Sequence, residues 1–388
     1  MQFNDLVWFL LPVAATGGWF AAKRSLNRQK EEFWDSSHRF HNELKELLTA
    51  KESSARILDS FSDGDRDAVE THIALGNLYR RRGDINRAIV IHESVAEKQN
   101  LSTELTAQAQ YELARDYDSA GLLDRSEAAY KKVIASGALL DDAYSGLLQL
   151  YELQLEWQQA IDLALQYVPT SSQSLAKPVA HYYCELSLLA MENGEFSAAQ
   201  NHLSKALKYW PQCHRAHIIL AQLALAEGNY ARCVQLYAKV ESLRPELMPE
   251  IIDNWFEALH GLGDESLLDK FIMRIRSQRN AYSVIRKTRQ VIADLKGENV
   301  AEQFFKEQIL RRPSLRGLRD WLHDQLESKA TAERDKVKVI CNLLDQVMED
   351  KPAYRCEACG FQGSVMHWRC PGCHAWDTVS TIIGVEGE

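Results

Sequence analysis

The sequence predicts an all-α protein in which an array of helical hairpins follows a single membrane-spanning helix and precedes a small metal-binding segment. Three observations indicate this architecture: a hairpin pattern recurs along the chain, the N-terminal run lacks charge, and four cysteines crowd into the last tenth of the 388 residues. A hydrophobic content of 46% and a charged content of 26% are ordinary for a helical protein. The net charge of −9 argues against a general nucleic-acid binder, which is usually basic.

Residues 1–22 are predicted to form the membrane helix. The 17 residues from Leu6 to Ala22 carry no charge and would extend about 26 Å as a helix, close to the roughly 30 Å of a hydrocarbon core. A cleaved signal peptide is the alternative, but it would have a basic start, whereas this start is acidic at Asp5. A buried core helix is disfavoured because it would need an upstream partner. Because Lys23 and Arg24 open a basic segment after the run, the positive-inside rule places the rest of the chain in the cytoplasm.

Residues 23–66 are predicted to be a charged linker and an atypical first repeat, because an end repeat must present one polar face to water. His38 and His41 stand one helical turn apart, a spacing that suits a metal. No third ligand accompanies them, so we interpret both as part of a solvated helix face.

The hairpin pattern is clearest between His181 and Pro211. Two apolar stripes at helical spacing flank a turn at Gly194, and Pro211 ends the second helix because proline lacks an amide donor. The first stripe contains Tyr182, Leu186, Leu189 and Ala190, and the second contains Phe196, Ala199, Leu203, Ala206 and Leu207.

The same frame recurs with a period of 34 to 39 residues, which is typical of a tetratricopeptide repeat. Turns are predicted at Gly83, Gly121, Leu155, Gly194, Gly228 and Gly263. Eight residues before these turns stand Leu75, Leu113, Leu147, Leu186, Leu220 and Trp255, and four before them stand Tyr79, Tyr117, Tyr151, Ala190, Ala224 and Leu259. Five residues after the first five turns stand Ala88, Ser126, Ala160, Ala199 and Cys233. The sequence therefore predicts a tetratricopeptide-repeat superhelix over residues 67–268.

In such arrays the first helix of each hairpin lines a concave groove that binds the partner. The candidate groove residues are Asn77, Arg80, Arg81, Arg115, Gln149 and Glu152, and the alternative for each is that it is merely an exposed polar side chain. Cys213, His214 and His217 form a second cluster that suits a metal or a thiol catalyst. We favour an ordinary helix start there, because no acidic residue or oxyanion motif accompanies them.

Residues 269–350 are predicted to hold divergent repeats and closing helices. Gly297, Ala301, Phe305, Ile309 and Pro313 repeat the second half of a unit. Between positions 269 and 319 the chain has 13 Lys and Arg against 5 Asp and Glu, a net charge of +8. Such a basic face suits anionic lipid headgroups or an acidic partner, although a solvated helix face is the commoner meaning.

Residues 351–388 are predicted to be the metal-binding domain. Two Cys-x-x-Cys pairs, Cys356 with Cys359 and Cys370 with Cys373, supply four thiolates for one tetrahedral ion, either iron or zinc. Gly360 and Gly372 are expected to supply the turn conformations. Four sulfurs leave no open position for a substrate, so the role is structural or electron-transferring. The nearby His367 and His374 are interpreted as bystanders.

The knuckles, Tyr-x-Cys-x-x-Cys-Gly and Trp-x-Cys-Pro-x-Cys, resemble those of rubredoxin, which implies one iron ion, with zinc as the alternative. Nearly the whole chain resembles the lipopolysaccharide assembly protein B family of Gram-negative bacteria. The resemblance rests on LLPVAATGGW (10–19), LGNLYRRRGDINRAI (75–89), HYYCELSL (181–188) and the final CxxCGF…WRCPGCHAW.

The resemblance implies a non-enzymatic scaffold in the bacterial inner membrane, with most of the chain in the cytoplasm and its metal on Cys356, Cys359, Cys370 and Cys373. It implies partners: a membrane AAA protease of the FtsH type, the LpxC-type lipid A deacetylase that this protease degrades, and other lipopolysaccharide synthesis or transport proteins. Two alternatives remain open: a rubredoxin-like electron-transfer or redox-sensing protein, and a scaffold for another membrane complex. An enzyme is disfavoured because no nucleophile, base and orienting residue occur together.

Overall fold

The computed structural model describes residues 66–167, 175–324, 331–349, 351–385 and 387. None of the helices formed by these residues is both long enough and apolar enough to cross a bilayer. The membrane helix predicted at 1–22 lies outside the described residues, as do positions 23–65 with His38 and His41.

The described residues form sixteen α-helices followed by three short strands. The first eight helices are α1 (Arg66–Arg81), α2 (Ile85–Ala96), α3 (Thr103–Ser119), α4 (Leu123–Ser136), α5 (Leu140–Gln154), α6 (Trp157–Tyr167), α7 (Ala176–Glu192) and α8 (Phe196–Tyr209). The last eight are α9 (His214–Ala226), α10 (Tyr230–Leu243), α11 (Met248–Leu262), α12 (Glu265–Ser277), α13 (Tyr282–Lys296), α14 (Glu298–Arg311), α15 (Leu315–Asp324) and α16 (Thr331–Met348). A 3₁₀ turn, Pro245–Leu247, connects α10 to α11.

A left-handed residue follows the first helix of each predicted hairpin. The five glycines at the predicted turns have φ between 66° and 83°, and Leu155 has φ 60°. At the first five turns, the N–H of the next residue donates to the carbonyl four residues before the turn, at 2.8 to 3.0 Å. This bond belongs to the Schellman motif, which satisfies carbonyls that a helix end leaves without a partner. The recurring frame therefore marks a recurring backbone geometry.

Most of the predicted core positions of the hairpins are buried, although Leu186 and Leu207 are only half-buried. The positions five residues after the turns, such as Ala88 and Cys233, have no accessible surface, because only small side chains fit where the paired helices approach each other. In α7 and α8, however, Leu189 is 46% and Phe196 52% exposed. Ser187, which the predicted stripe did not include, is fully buried, so the stripe contained two exposed residues and omitted a buried one.

The chain divides into two compact units, with the boundary in the sequence between Leu150 and Tyr151. In the second unit, an apolar core of described residues extends from α9 to α14. Its centre includes Trp255 and Phe271, whose ring centroids lie 4.5 Å apart. Ala301 and Phe305 of α14 are buried in this core, as the divergent half-repeat predicted.

The C-terminal part of the second unit is not helical, which corrects the all-α prediction for this end of the chain. Strands β1 (Tyr354–Cys356), β2 (Gln362–Gly363) and β3 (Val379–Thr381) form an antiparallel sheet in the order β2-β1-β3. We call residues 353–385, which contain this sheet and the four cysteines, the knuckle segment.

Candidate metal centre and its docking surface

The two Cys-x-x-Cys pairs of the knuckle segment have the same backbone construction. The N–H of Gly360 donates to Cys356 O at 3.0 Å, and the N–H of His374 donates to Cys370 O at 2.9 Å. Both turns need a left-handed residue, which is Gly360 with φ 78° in the first and His374 with φ 59° in the second. Gly372 does not take this conformation, so its predicted role is wrong, and His374 has a backbone role that the sequence did not indicate.

These turns bring the four sulfurs together. All four Sγ atoms lie within 4.8 Å of one another. Cys356 and Cys373 are separated by 3.8 Å between sulfurs, and Cys359 and Cys370 by 3.6 Å. A tetrahedral ion with metal–sulfur bonds of about 2.3 Å requires sulfurs roughly 3.8 Å apart. The residues therefore fit a four-thiolate metal ion, and the geometry suits iron and zinc equally.

The thiols also fit an ion electrostatically. Burial disfavours the Cys356 thiolate, but hydrogen bonds from the Thr378 hydroxyl and the amides of Cys359 and Ala358 lower the pKa of Cys356 to about 6. For Cys359, a hydrogen bond from the Phe361 amide favours the thiolate, yet burial and the neighbouring cysteines raise its pKa to about 12. Four sulfurs this close cannot all ionise without a cation to balance their charge.

The knuckle segment docks on the helices of the second unit through a buried carboxylate, Glu152. Glu152 Oε1 accepts hydrogen bonds from the Trp376 indole at 2.8 Å and from the Tyr182 hydroxyl at 2.7 Å. Glu152 Oε2 lies 2.6 Å from Arg369 Nη2. Each carboxylate oxygen thus receives a donor from the knuckle segment, and Glu152 joins α5 to it.

Aromatic rings surround this carboxylate. Trp376 stacks on His181 with centroids 4.9 Å apart and meets the Trp157 ring edge-on at 6.2 Å. His181 is fully buried, and neither of its ring nitrogens has a hydrogen-bond partner among the described residues. Burial lowers the pKa of His181 to about 3, so the ring is neutral.

A second polar anchor lies next to the first. Asp377 Oδ1 accepts from Arg244 Nη1 at 2.6 Å, and its Oδ2 lies 3.3 Å from His214 Nδ1. Lys177 Nζ donates to the Asp377 carbonyl at 3.3 Å. Burial alone would raise the pKa of Asp377, but the His214 hydrogen bond and the Arg244 charge lower it. The Trp-Asp dipeptide after the second knuckle therefore anchors the segment to α7, α9 and the end of α10.

The sequence interpretation missed this docking surface. Trp376, Asp377, His181 and Arg244 were not predicted as functional, since their partners lie far away along the chain. One signal was available: a large aromatic residue and an acid, Trp376 and Asp377, stand three and four residues after the last cysteine. His214 binds Asp377, and His217 Nε2 contacts the Pro211 carbonyl at 3.2 Å, which agrees with an ordinary helix start.

The candidate groove residues divide into two groups. Arg80 is nearly buried and pairs with Asp116 at 2.7 Å and with Glu112, while Asn77 accepts a hydrogen bond from Arg80. Glu152 is buried under the knuckle segment. The exposed candidates are Arg81, Arg115 and Gln149. Arg115 also lies 3.2 Å from a carboxylate oxygen of Glu112, and the binding role of all three stays a prediction.

Comparison with known proteins gives two matching family models: a rubredoxin metal binding domain over residues 354–380 and a tetratricopeptide repeat over residues 184–246. The crystal structure of a MamA protein has a TM-score of 0.33 at 20% identity, covering 46% of this chain and 93% of that one. Lipopolysaccharide assembly protein B of Haemophilus influenzae is 25% identical, covering 98% of this chain and 99% of its own. The protein of the same name from Escherichia coli K12 is 30% identical over 391 residues, with 99% of both chains covered. Because this similarity runs the full length of both chains and includes the knuckles, the chain belongs to the lipopolysaccharide assembly protein B family.

Proposed function

We propose that this chain is a non-enzymatic scaffold of lipopolysaccharide assembly that presents the repeats and the knuckle segment of its second unit as one joined surface. The observation that carries the proposal is the pair of buried anchors at Glu152 and Asp377. Buried ion pairs fix one arrangement, because any other leaves their charges without partners. The proposal includes no catalytic residue, since four sulfurs leave no open position on the ion.

In this proposal Cys356, Cys359, Cys370 and Cys373 hold one iron or zinc ion. The bound ion supplies metal–sulfur bonds that stabilise the folded knuckle segment, which has too few residues for a large apolar core. The chain itself supplies the remainder: two matching turns that preset the sulfurs, and the docking contacts that hold the segment against the helices.

The scaffold is proposed to act at the bacterial inner membrane, with residues 1–22 as anchor and the remainder in the cytoplasm. The support is the uncharged run from Leu6 to Ala22 followed by basic residues. Confinement to a membrane raises the effective concentration of one partner for another, so weak contacts are sufficient.

The proposed partners are a membrane protease of the FtsH type, the LpxC-type lipid A deacetylase, and other lipopolysaccharide synthesis or transport proteins. The scaffold holds the deacetylase beside the protease and so promotes its degradation. The exposed Arg81 and Arg115 of the first unit are the proposed contacts for an acidic patch on a partner.

The test measures the deacetylase level and the co-purified protease in cells that carry chain variants. Deleting residues 1–22 should raise the deacetylase level, and Arg81→Glu with Arg115→Glu should weaken capture of a partner. Arg82→Glu with Lys132→Glu, which reverses two other exposed charges, is the matched control and should leave capture unchanged. Normal deacetylase turnover by the anchor-free chain at ordinary expression would contradict the tethering proposal.

A second candidate function, electron transfer, is favoured by one observation: Cys359 and Cys373 are exposed residues, so the candidate metal centre lies near the protein surface. Anaerobic voltammetry of the iron-loaded full chain tests it. A reversible one-electron wave would support electron transfer, and its absence would leave the structural role.

A further inference from the structure

The basic span between residues 269 and 319 is mostly neutralised in the folded chain. Seven of its 13 basic side chains pair with carboxylates: Arg274, Arg276, Lys287, Arg289, Lys296, Arg311 and Arg319. The predicted basic face is therefore largely a network of ion pairs. Arg279 and Arg312 do not belong to this network, and Arg311 shares its counter-charge with Arg276.

Arginines converge on one cavity of about 350 Å³ in the second unit. Arg279, Arg311 and Arg312 line it, together with the chain that follows β3. No carboxylate among the described residues forms an ion pair with Arg279 or Arg312, and Arg311 shares Glu307 with Arg276. Three guanidinium groups thus meet at a cavity with one shared counter-charge.

The internal contacts of these arginines use only part of their hydrogen-bonding capacity. Arg311 Nη1 donates to the Arg276 carbonyl at 3.5 Å, and Arg312 Nη1 donates to the Gln278 carbonyl, both at the C-terminal end of α12. A guanidinium has five N–H donors in a planar fork that matches the oxygens of a phosphate. Burial, together with the charges of Arg279 and Arg311, lowers the pKa of Arg312. A bound anion would relieve this repulsion.

Part of the cavity wall is apolar. Tyr282, Ile285, Ile309 and Ile383 line it, and Leu315 N–H fixes the last wall by donating to the Val385 carbonyl at 3.0 Å. A volume of this size lies at the lower end of small-molecule sites. It can hold a headgroup or a small ring but not a pair of acyl chains.

We infer that this cavity binds a phosphomonoester that carries a compact apolar group, with Arg279, Arg311 and Arg312 on the phosphate and the isoleucine walls on the apolar part. A phosphomonoester is chosen because its nearly double negative charge and three terminal oxygens match three forked cations. The inference does not rest on the proposed scaffold function, although the knuckle segment contributes Ile383 and Val385 to the cavity wall.

Calorimetric titration of the full chain in mild detergent, with inorganic phosphate and with phenyl phosphate as probes, tests the inference. Phenyl phosphate should bind more tightly than phosphate, and Ile309→Asp should remove that difference. Arg279 is exposed and follows the C-terminal end of α12. Arg279→Gln should weaken the binding of both probes about tenfold, the usual effect of losing a charge-assisted hydrogen bond. Arg312→Lys, which keeps the charge and loses the fork, should weaken both probes less than Arg312→Gln.

Arg232→Gln is the matched control, because Arg232 is an exposed arginine on α10 that does not line the cavity. The titrations are repeated with Glu386→Gln and Glu388→Gln. These two acids follow Val385 in the sequence and carry a charge opposite to that of the arginines. Phosphatidylcholine vesicles with and without phosphatidic acid distinguish a lipid headgroup from a free ligand, and binding in either form supports the site. Failure of both soluble probes and of phosphatidic acid vesicles, or equal weakening by Arg232→Gln, would overturn it.

Discussion

Glu152 connects helix α5 to the knuckle segment. Its carboxylate is buried and receives hydrogen bonds or ion-pair contacts from Tyr182, Trp376 and Arg369. A buried carboxylate without these donors would face a large desolvation cost. The residue that looked like a partner contact in the sequence is therefore the internal contact for the knuckle segment.

Replacing Glu152 by Gln should destabilise the second unit by about 1–3 kcal/mol. The neutral amide cannot balance the charge of Arg369, and its NH₂ group would face one of the N–H or O–H donors that the carboxylate now accepts from. Urea unfolding followed by tryptophan fluorescence measures it, since six of the nine tryptophans lie after Tyr151. Gln149→Ala on the same helix is exposed and should change stability by less than about 0.5 kcal/mol. Equal effects of the two changes would contradict this role of Glu152.

His181 gives the second unit a pH dependence. In the unfolded chain a histidine binds a proton below about pH 6.5, whereas in the native chain burial lowers the His181 pKa to about 3. The unfolded state therefore binds more protons between these values, so the free energy of unfolding falls as the pH decreases through this window.

His181→Phe keeps an aromatic ring against Trp376 and should make the decrease less steep between about pH 6.5 and pH 3. His202 and His217, whose pKa values are also lowered by burial, remain in both chains and keep part of the slope. Urea midpoints at several pH values measure this. An unchanged slope would mean that the native imidazole takes up its proton at the same pH as in the unfolded chain.

The turn between α5 and α6 requires a left-handed backbone at Leu155. Leu155 has φ 60° at a position where the other hairpin turns have glycine, and its side chain is 64% exposed. A left-handed residue with a Cβ costs about 1–2 kcal/mol, and here no buried contact of the side chain offsets it. The hairpin forms because the surrounding helix packing imposes the turn.

Leu155→Gly should therefore stabilise the chain by about 0.5–1 kcal/mol. Glycine removes the strain of the left-handed backbone, and this gain is partly offset because glycine also increases the conformational entropy of the unfolded chain. Gly194→Ala should act in the opposite direction by about 1 kcal/mol, because an alanine Cβ at φ 78° meets no atom within 4 Å and the cost is purely conformational. The free energy of unfolding of both variants checks the pair. A destabilised Leu155→Gly chain would show that leucine contributes packing at this turn.

At the scale of the whole molecule, the residues that dock the knuckle segment lie within four positions of the cysteines in the sequence. Trp376 and Asp377 follow Cys373 by three and four residues, and Arg369 precedes Cys370 directly. Positions this close to the ligands are fixed only while the knuckle fold is intact. The ion is therefore expected to control the docking contacts of α5, α7 and α10 as well as its own fold.

Cys359→Ser should remove the ion and expose the Trp376 indole, with faster amide exchange in β1–β3 and in the helices that contact the segment. Helices α1–α4 belong to the first unit and should exchange as before. Cys184→Ser, which changes a buried cysteine outside the knuckles, should keep the full metal content. Metal analysis and hydrogen exchange by mass spectrometry give the result, and unchanged exchange in β1–β3 would show that the segment folds without metal.

The sequence by itself determined the elements that local chemistry controls. Hairpin turns, small residues at helix contacts and the paired cysteines each depend on neighbours within about 40 residues, so their periods are visible in the chain. The membrane helix at 1–22 and the domain boundaries remain predictions of the same kind.

Only the tertiary structure decided which polar side chains form ion pairs or hydrogen bonds within the chain. Arg80 pairs with Asp116 across 36 positions, and Trp376 donates to Glu152 across 224 positions. It likewise assembled the arginine cavity, where the α12 and α14 ends meet the chain after β3. A polar side chain has the same appearance in a sequence whether it contacts water, a partner or a buried counter-charge. Folding distinguishes these cases, because burial makes each unpaired charge costly and so selects the one arrangement in which the distant donors and acceptors meet.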